Sequence, residues 1–115
     1  TPPLIDHARL EELLAVLPKD VFVQMSEQFL DSADEYIATL GAAISSGDVE
    51  ATRRTAHAIK GVALNFGAVA VVRLASEIES EVRESGVPGV QDRFKHLQDA
   101  ATKSRVDLLA RISSL

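Results

Sequence analysis

The sequence predicts an all-α fold, an antiparallel up-and-down four-helix bundle with a short extra helix at the N-terminus. Apolar residues recur at steps of three and four along most of the chain, which is typical of amphipathic helices. No run alternates apolar and polar residues as a half-buried strand does. Glycine and proline divide the pattern into one short and four long segments with short connections, and such segments pack as antiparallel neighbours.

The first predicted helix is short and follows an extended arm at residues 1–5. Asp6 can cap it, and Pro18 ends it after Leu17. A long helix over residues 19–46 comes next, and Gly47 ends it. The predicted buried residues of the first helix are Leu10, Leu13, Leu14 and Leu17. Those of the second are Phe22, Met25, Phe29, Ala33, Tyr36 or Ile37, Leu40 and Ile44.

Three further helices complete the predicted bundle. Asp48 caps the third, which runs to Phe66, and Gly67 suits the left-handed position after a helix end. The fourth follows to about Glu84, and a loop at residues 85–89 leads to the last helix, residues 90–113. Their predicted inward residues are Val71 or Val72, Ala75, Ile78 and Val82, then Phe94, Leu97, Ala101, Leu108 and Ile112. We therefore predict one domain over residues 1–115.

Composition excludes several classes of function. With no cysteine, the chain has no disulfide, no thiol catalysis and no thiolate metal site. A net charge of −5 disfavours nucleic acid or an anionic membrane as a partner. No histidine and carboxylate cluster has the spacing of a metal site, and no glycine-rich phosphate loop indicates a nucleotide site. The chain starts at Thr1 without a methionine, so we expect a piece of a longer protein, with a free-standing protein as the alternative. Because no signal segment opens the chain and cysteine is absent, we expect a cytoplasmic location.

The third predicted helix contains the most informative residues of the chain. His57, Lys60 and Gly61 stand at i, i+3 and i+4, which places all three on one face. Helical rotation puts that face nearly opposite the apolar face that contains Ile59. Gly61 lies inside the helix, where glycine costs about 1 kcal/mol relative to alanine, so we expect a steric reason for it. We predict that the imidazole is exposed and meets a large partner.

Basic residues surround this histidine in an otherwise acidic chain. Residues 20–52 include seven carboxylates and no basic residue, after which Arg53, Arg54 and Lys60 follow. Leu64, at i+7 from His57, is predicted to be exposed and to form the apolar centre of a docking patch with these cations. His7 and His96 have no such neighbours, and we predict that both are ordinary exposed residues.

The stretch Ala56-His57-x-Ile59-Lys60-Gly61, closed by Phe66-Gly67-Ala68, resembles the signature of the histidine-containing phosphotransfer (Hpt) domain. The resemblance implies that His57 accepts a phosphoryl group from an aspartyl-phosphate on a receiver domain and passes it to another receiver. It also implies response-regulator receivers as partners, with the Mg²⁺ on the receiver and no cofactor on this chain. Where the family often has a small hydroxyl residue just after the glycine, this chain has Val62 and Ala63.

The chemistry of the residues fits this role. A neutral imidazole nitrogen can attack an aspartyl-phosphate, and the Lys60 ammonium one turn away can steady the phosphoryl oxygens, with Arg53 as a candidate second charge. Gly61 would leave room for the partner, and Arg54 and Leu64 would contact it. We expect no ATP site, so any kinase activity belongs to a parent hybrid sensor kinase, which can be membrane-anchored. Two alternatives remain open: a helical docking or dimerisation module, and the phosphoacceptor domain of a chemotaxis-type kinase.

Overall fold

The structure, a computed structural model, describes residues 5–115 and confirms the predicted helical bundle. Helix α1 spans His7–Val16, α2 Lys19–Ser45, α3 Val49–Asn65, α4 Val69–Ser85 and α5 Gln91–Ser113. The first four residues of the predicted arm, 1–4, lie outside the described residues, and its last residue, Ile5, is buried. The predicted loop at residues 85–89 contains most of a short 3₁₀ turn, Val87–Val90, whose two valines are buried.

Local chemistry sets the helix ends where the sequence predicted them. The Asp6 carboxylate accepts hydrogen bonds from the backbone N–H groups of Ala8 and Arg9 at the start of α1. The Asp48 carboxylate accepts the N–H of Ala51 at the start of α3 in the same way. After α3, Gly67 has a φ of +66°, a left-handed conformation that disfavours side chains and turns the chain directly into α4.

Two apolar clusters hold the helices together. The larger one lies between α2, α3, α4 and α5 and includes Leu40, Ile59, Ile78 and Leu97. The smaller one lies at the end of the bundle where α2 begins and where α3 and α5 end, and α1 covers it. Its buried members are Ile5, Leu10, Phe22, Leu30, Phe66 and Leu108. Phe29 joins the two clusters, because its ring stacks on Phe66 at 4.7 Å between centroids.

Helix α2 corrects one predicted core position and decides between two others. Met25 is 38% exposed, and the buried position beside it belongs to Ser26. Ser26 can be buried because its hydroxyl donates a 2.8 Å hydrogen bond to the carbonyl of Phe22, which satisfies its polar group inside the helix. An apolar period cannot detect a buried residue of this kind. The sequence predicted that either Tyr36 or Ile37 is buried. Ile37 packs against the core, whereas Tyr36 is 37% exposed.

Candidate functional site

The outer face of α3 presents the predicted site residues to solvent. The His57 side chain is 65% exposed, and Leu64 is 61% exposed. Gly61 is also exposed, and a Cβ placed on it would meet no atom within 4 Å. The helical phase predicted from the sequence is therefore confirmed. Nothing inside the described chain explains a glycine at this position.

Glu79 of α4 lies opposite His57 and was not found by sequence reasoning. Its carboxylate lies between two residues of α3, with Oε2 2.9 Å from His57 Nδ1 and Oε1 3.1 Å from Lys60 Nζ. The Glu79 side chain is only 13% exposed, while its two partners reach solvent. No sequence signal distinguishes Glu79 from the other carboxylates of α4, because the contact depends on how α4 is rotated and placed along α3.

The charge state of Glu79 determines which nitrogen of His57 is free. Burial alone raises the pKa of the Glu79 carboxyl, but the hydrogen bonds and charges of Lys60 and His57 together outweigh burial and hold the pKa below its usual value. The ionised carboxylate can only accept hydrogen bonds, so Nδ1 of His57 must bear the proton. In the neutral ring, the lone pair of Nε2 is then available to attack an electrophile.

The arginines near His57 differ in their partners. Arg53, a candidate second charge at the site, donates two hydrogen bonds to Glu50, at 2.6 and 3.2 Å. Through this pairing Arg53 lowers the pKa of the Glu50 carboxyl, and Arg54 and Arg83 add smaller contributions. Arg54 and Arg83 are exposed, and neither has an ion pair within the described part of the chain. Besides Arg54, which the sequence predicted, Arg83 of α4 is thus a second exposed arginine beside this surface, and sequence reasoning missed it.

A groove between α2 and α3 continues the exposed face. It has a volume of about 200 Å³, and the exposed Met25 lines one wall while Val62 lines the other. Phe29 and Phe66 also line it, so it joins the outer face of α3 to the smaller apolar cluster. Met25 therefore contributes to a surface groove and not to the core.

His7 and His96 lie apart from any comparable arrangement. Both are exposed, and among residues 5–115 neither has a carboxylate oxygen within 4.0 Å. Within the same residues, no group of three or more histidine, aspartate or glutamate side chains could hold a metal ion. No helix in the described part of the chain is long and apolar enough to span a membrane.

Comparison with known proteins relates both the sequence and the fold of this chain to the Hpt domain. The sequence model of the Hpt domain matches residues 24–107. The fold is similar to that of histidine-containing phosphotransfer protein B (HptB) from Pseudomonas aeruginosa PAO1, with a TM-score of 0.92 and 24% identity over 100% of this chain and 99% of that one. It is also similar to the HPT domain from the Hpt sensor hybrid histidine kinase from Shewanella, with a TM-score of 0.77 and 24% identity over 95% and 92% of the two chains.

No curated protein sequence matches the chain, so the family match and the shared fold are what relate it to known proteins. The match covers most of the chain, including all of α3 and α4, on which the site lies. The chain belongs to the Hpt domain family, whose members act as phosphocarriers in two-component phosphorelays.

Proposed function

We propose that Nε2 of His57 accepts a phosphoryl group from the aspartyl-phosphate of one receiver domain and passes it to the aspartate of another. The observation that supports this most directly is the 2.9 Å contact between Glu79 Oε2 and His57 Nδ1, on a ring that is 65% exposed. The contact orients the imidazole and keeps its proton away from Nε2. An exposed, unprotonated nitrogen is what a nucleophile needs in order to reach phosphorus inside a partner.

The transfer step balances without a cofactor on this chain. The Nε2 lone pair forms the N–P bond while the P–O bond to the aspartate breaks, and the aspartate leaves as a carboxylate. The receiver would supply the Mg²⁺ that neutralises the phosphoryl oxygens. The chain itself would have no ATP site, so it would act as an intermediate and not as a kinase. We place this reaction in the cytoplasm, in a free protein or in part of a membrane-anchored sensor kinase.

Lys60 would supply the nearby cation. Its side chain is 34% exposed and its ammonium lies 3.1 Å from Glu79 Oε1, so it is already held on the side of His57. A phosphoryl group on Nε2 would bring new anionic oxygens within reach of the flexible lysine. Arg53 is a weaker candidate for the same task, because its guanidinium is already paired with Glu50 at 2.6 Å.

The receiver would dock on the exposed face of α3. Gly61 leaves the approach to His57 open, since no atom lies within 4 Å of the position of a Cβ. Leu64 provides an exposed apolar contact, and the groove beside Met25 extends it. Arg54, which has no ion pair among the described residues, suits the acidic surface around a receiver's aspartate.

Phosphate labelling tests the acceptor. The protein is mixed with a ³²P-labelled receiver, and uptake is measured for the wild type and for His57→Gln, with His7→Gln and His96→Gln as matched controls. We expect only His57→Gln to abolish an acid-labile, base-stable label. Uptake that persists in His57→Gln would refute the assignment. No uptake by any protein would favour the docking module, and uptake only from an ATP-dependent kinase would favour the chemotaxis-type acceptor.

A second experiment separates chemistry from docking. Lys60→Ala should slow transfer and shorten the lifetime of the phosphohistidine while receiver affinity stays near that of the wild type. Arg54→Ala and Leu64→Ala should weaken receiver binding instead. Exposed residues on α5 provide the matched controls, Lys95→Ala for the charge and Leu109→Ala for the apolar contact. Equal losses of binding in the α5 controls would contradict the proposed docking face.

A further inference from the structure

We propose that Glu79 also sets how readily phosphorylated His57 gives up its phosphoryl group, by holding the proton on Nδ1 after Nε2 has been phosphorylated. The inference rests on the proposed function, because it concerns the same histidine in its phosphorylated state. It assigns Glu79 the part of a positioning residue, which acts through the ring and does not touch phosphorus. To accept the phosphoryl group, His57 needs an unprotonated Nε2. To donate the group, its imidazole must be a good leaving group.

The leaving group depends on the Nδ1 proton. When the phosphoryl group leaves, the P–N bond breaks with its electron pair on Nε2 and a P–O bond forms to the receiver's aspartate. If Nδ1 still bears its proton, the ring departs as a neutral imidazole. If that proton has been lost, the ring must depart as an imidazolate anion, a much poorer leaving group. The proton stays on Nδ1 throughout the productive step, so no further acid or base is needed.

The geometry suits Glu79 for retaining that proton. Its Oε2 accepts the hydrogen bond from Nδ1 at 2.9 Å, and a ring phosphorylated on Nε2 with a protonated Nδ1 carries a positive charge that the carboxylate attracts. The side chain is 13% exposed, so water competes little for this contact. Glu79 projects from a long helix rather than a loop, so its position relative to α3 does not depend on a flexible segment.

Phosphorylation would strengthen this contact through Lys60. In the present structure Glu79 divides its charge between the ring and the Lys60 ammonium at 3.1 Å. A phosphoryl group on Nε2 would draw the ammonium towards its own oxygens, which leaves Glu79 to the ring. The other charges nearby are Arg53, which Glu79 influences electrostatically, Glu50, to which Arg53 is paired, and Arg54 and Arg83, which both act on Glu50. Because the charges of Arg53 and Glu50 cancel, the positive charge left near the site comes from Arg54 and Arg83.

The test compares phosphorylated wild type with Glu79→Gln, which keeps a hydrogen-bond acceptor of the same shape but removes the charge. Dephosphorylation and transfer to a receiver are followed between about pH 5 and 9. We expect the variant to hold its phosphate about tenfold longer near pH 7.5, because charged hydrogen bonds are roughly twice as strong as neutral ones. The difference should close in acid, where solvent protonates the ring in both proteins.

Two further measurements distinguish this effect from a structural one. In ¹H–¹⁵N spectra near neutral pH, Nδ1 of the phosphorylated ring should be protonated in the wild type and largely unprotonated in Glu79→Gln. Glu77→Gln, two residues away on α4, is the matched control and should leave lifetime and spectra unchanged. A folded Glu79→Gln that loses phosphate at the wild-type rate would overturn the inference and leave the proposed function intact. Wild type that accepts no phosphate would instead overturn the proposed function.

Discussion

Replacing Gly61 by alanine should stabilise the protein, although most single mutations destabilise a folded protein. Gly61 lies inside α3, and alanine there gains about 1 kcal/mol of helix propensity. The added Cβ would meet nothing within 4 Å, so no steric cost reduces the gain. For a domain of this size, 1 kcal/mol corresponds to a rise of roughly 4 °C in the melting temperature. Urea and thermal denaturation followed by circular dichroism measure both quantities.

Gly41 of α2 provides a matched control inside the same bundle. It is also a helix-interior glycine, but its added Cβ would lie 3.1 Å from Cζ of Phe94. This contact is tighter than an ordinary van der Waals distance, so the Phe94 ring must move and the propensity gain is offset. We therefore expect Gly41→Ala to be less stable than Gly61→Ala. The two variants together separate backbone propensity from packing.

Function should change in the opposite direction from stability at Gly61. A bulky replacement, Gly61→Gln, keeps the helix, because glutamine has a much higher helix propensity than glycine. It should nevertheless block phosphotransfer by obstructing the approach of the receiver to His57. Transfer at the wild-type rate by a folded Gly61→Gln would show that the docking face is misplaced. A loss of stability in Gly61→Ala would contradict the open space beside this residue.

Four other variants test the packing and charges around the site. His57→Ala should lower the free energy of unfolding by about 0.5–1 kcal/mol, the value of one hydrogen bond. Phe66 is buried between two aromatic rings, so Phe66→Ala should lower it by roughly 3–5 kcal/mol. Urea denaturation measures both losses. Because the pKa of Glu79 is lower in the folded chain than the usual 4.5, its charge stabilises the fold at neutral pH, and this contribution disappears as the pH falls through the folded-state value. Acid titration of Glu79→Gln should show a shallower loss of stability. Gly67→Ala should cost roughly 1–3 kcal/mol from its left-handed φ, and more from contact of the new Cβ with the carbonyl oxygen of Asp6 at 3.1 Å, which differential scanning calorimetry can measure.

Much of the fold follows from interactions between residues close in the sequence. Asp6 and Asp48 begin their helices by accepting backbone N–H groups two or three residues ahead. The left-handed backbone conformation of Gly67 prevents α3 from continuing. The same local geometry fixes the side of α3 on which His57 lies, since the apolar residues of that helix must face the core. The exposure of His57 and Leu64 could therefore be predicted without a structure.

The structure differs from the sequence predictions where the local apolar pattern and the packing of the bundle disagree. Met25 was predicted to be buried because it is apolar and in phase, but Ser26 takes the buried position by bonding to the carbonyl of Phe22. The 3₁₀ turn at Val87–Val90 was taken for a loop because Pro88 and Gly89 interrupt the pattern. In both cases the buried surface available in the bundle decided the outcome, and a single helix does not contain that information.

The sequence by itself determined the helical class, the helix ends and the outward face of α3, because each depends on spacings of a few residues. Only the tertiary structure decided that Glu79 bonds to His57 and Lys60, 22 and 19 residues away. An apolar stripe shows which face a helix buries, but it leaves the helix free to slide and rotate until side chains on both helices interlock. The partner of the histidine, and with it the nitrogen left free to react, was set by that interlocking of α4 with α3.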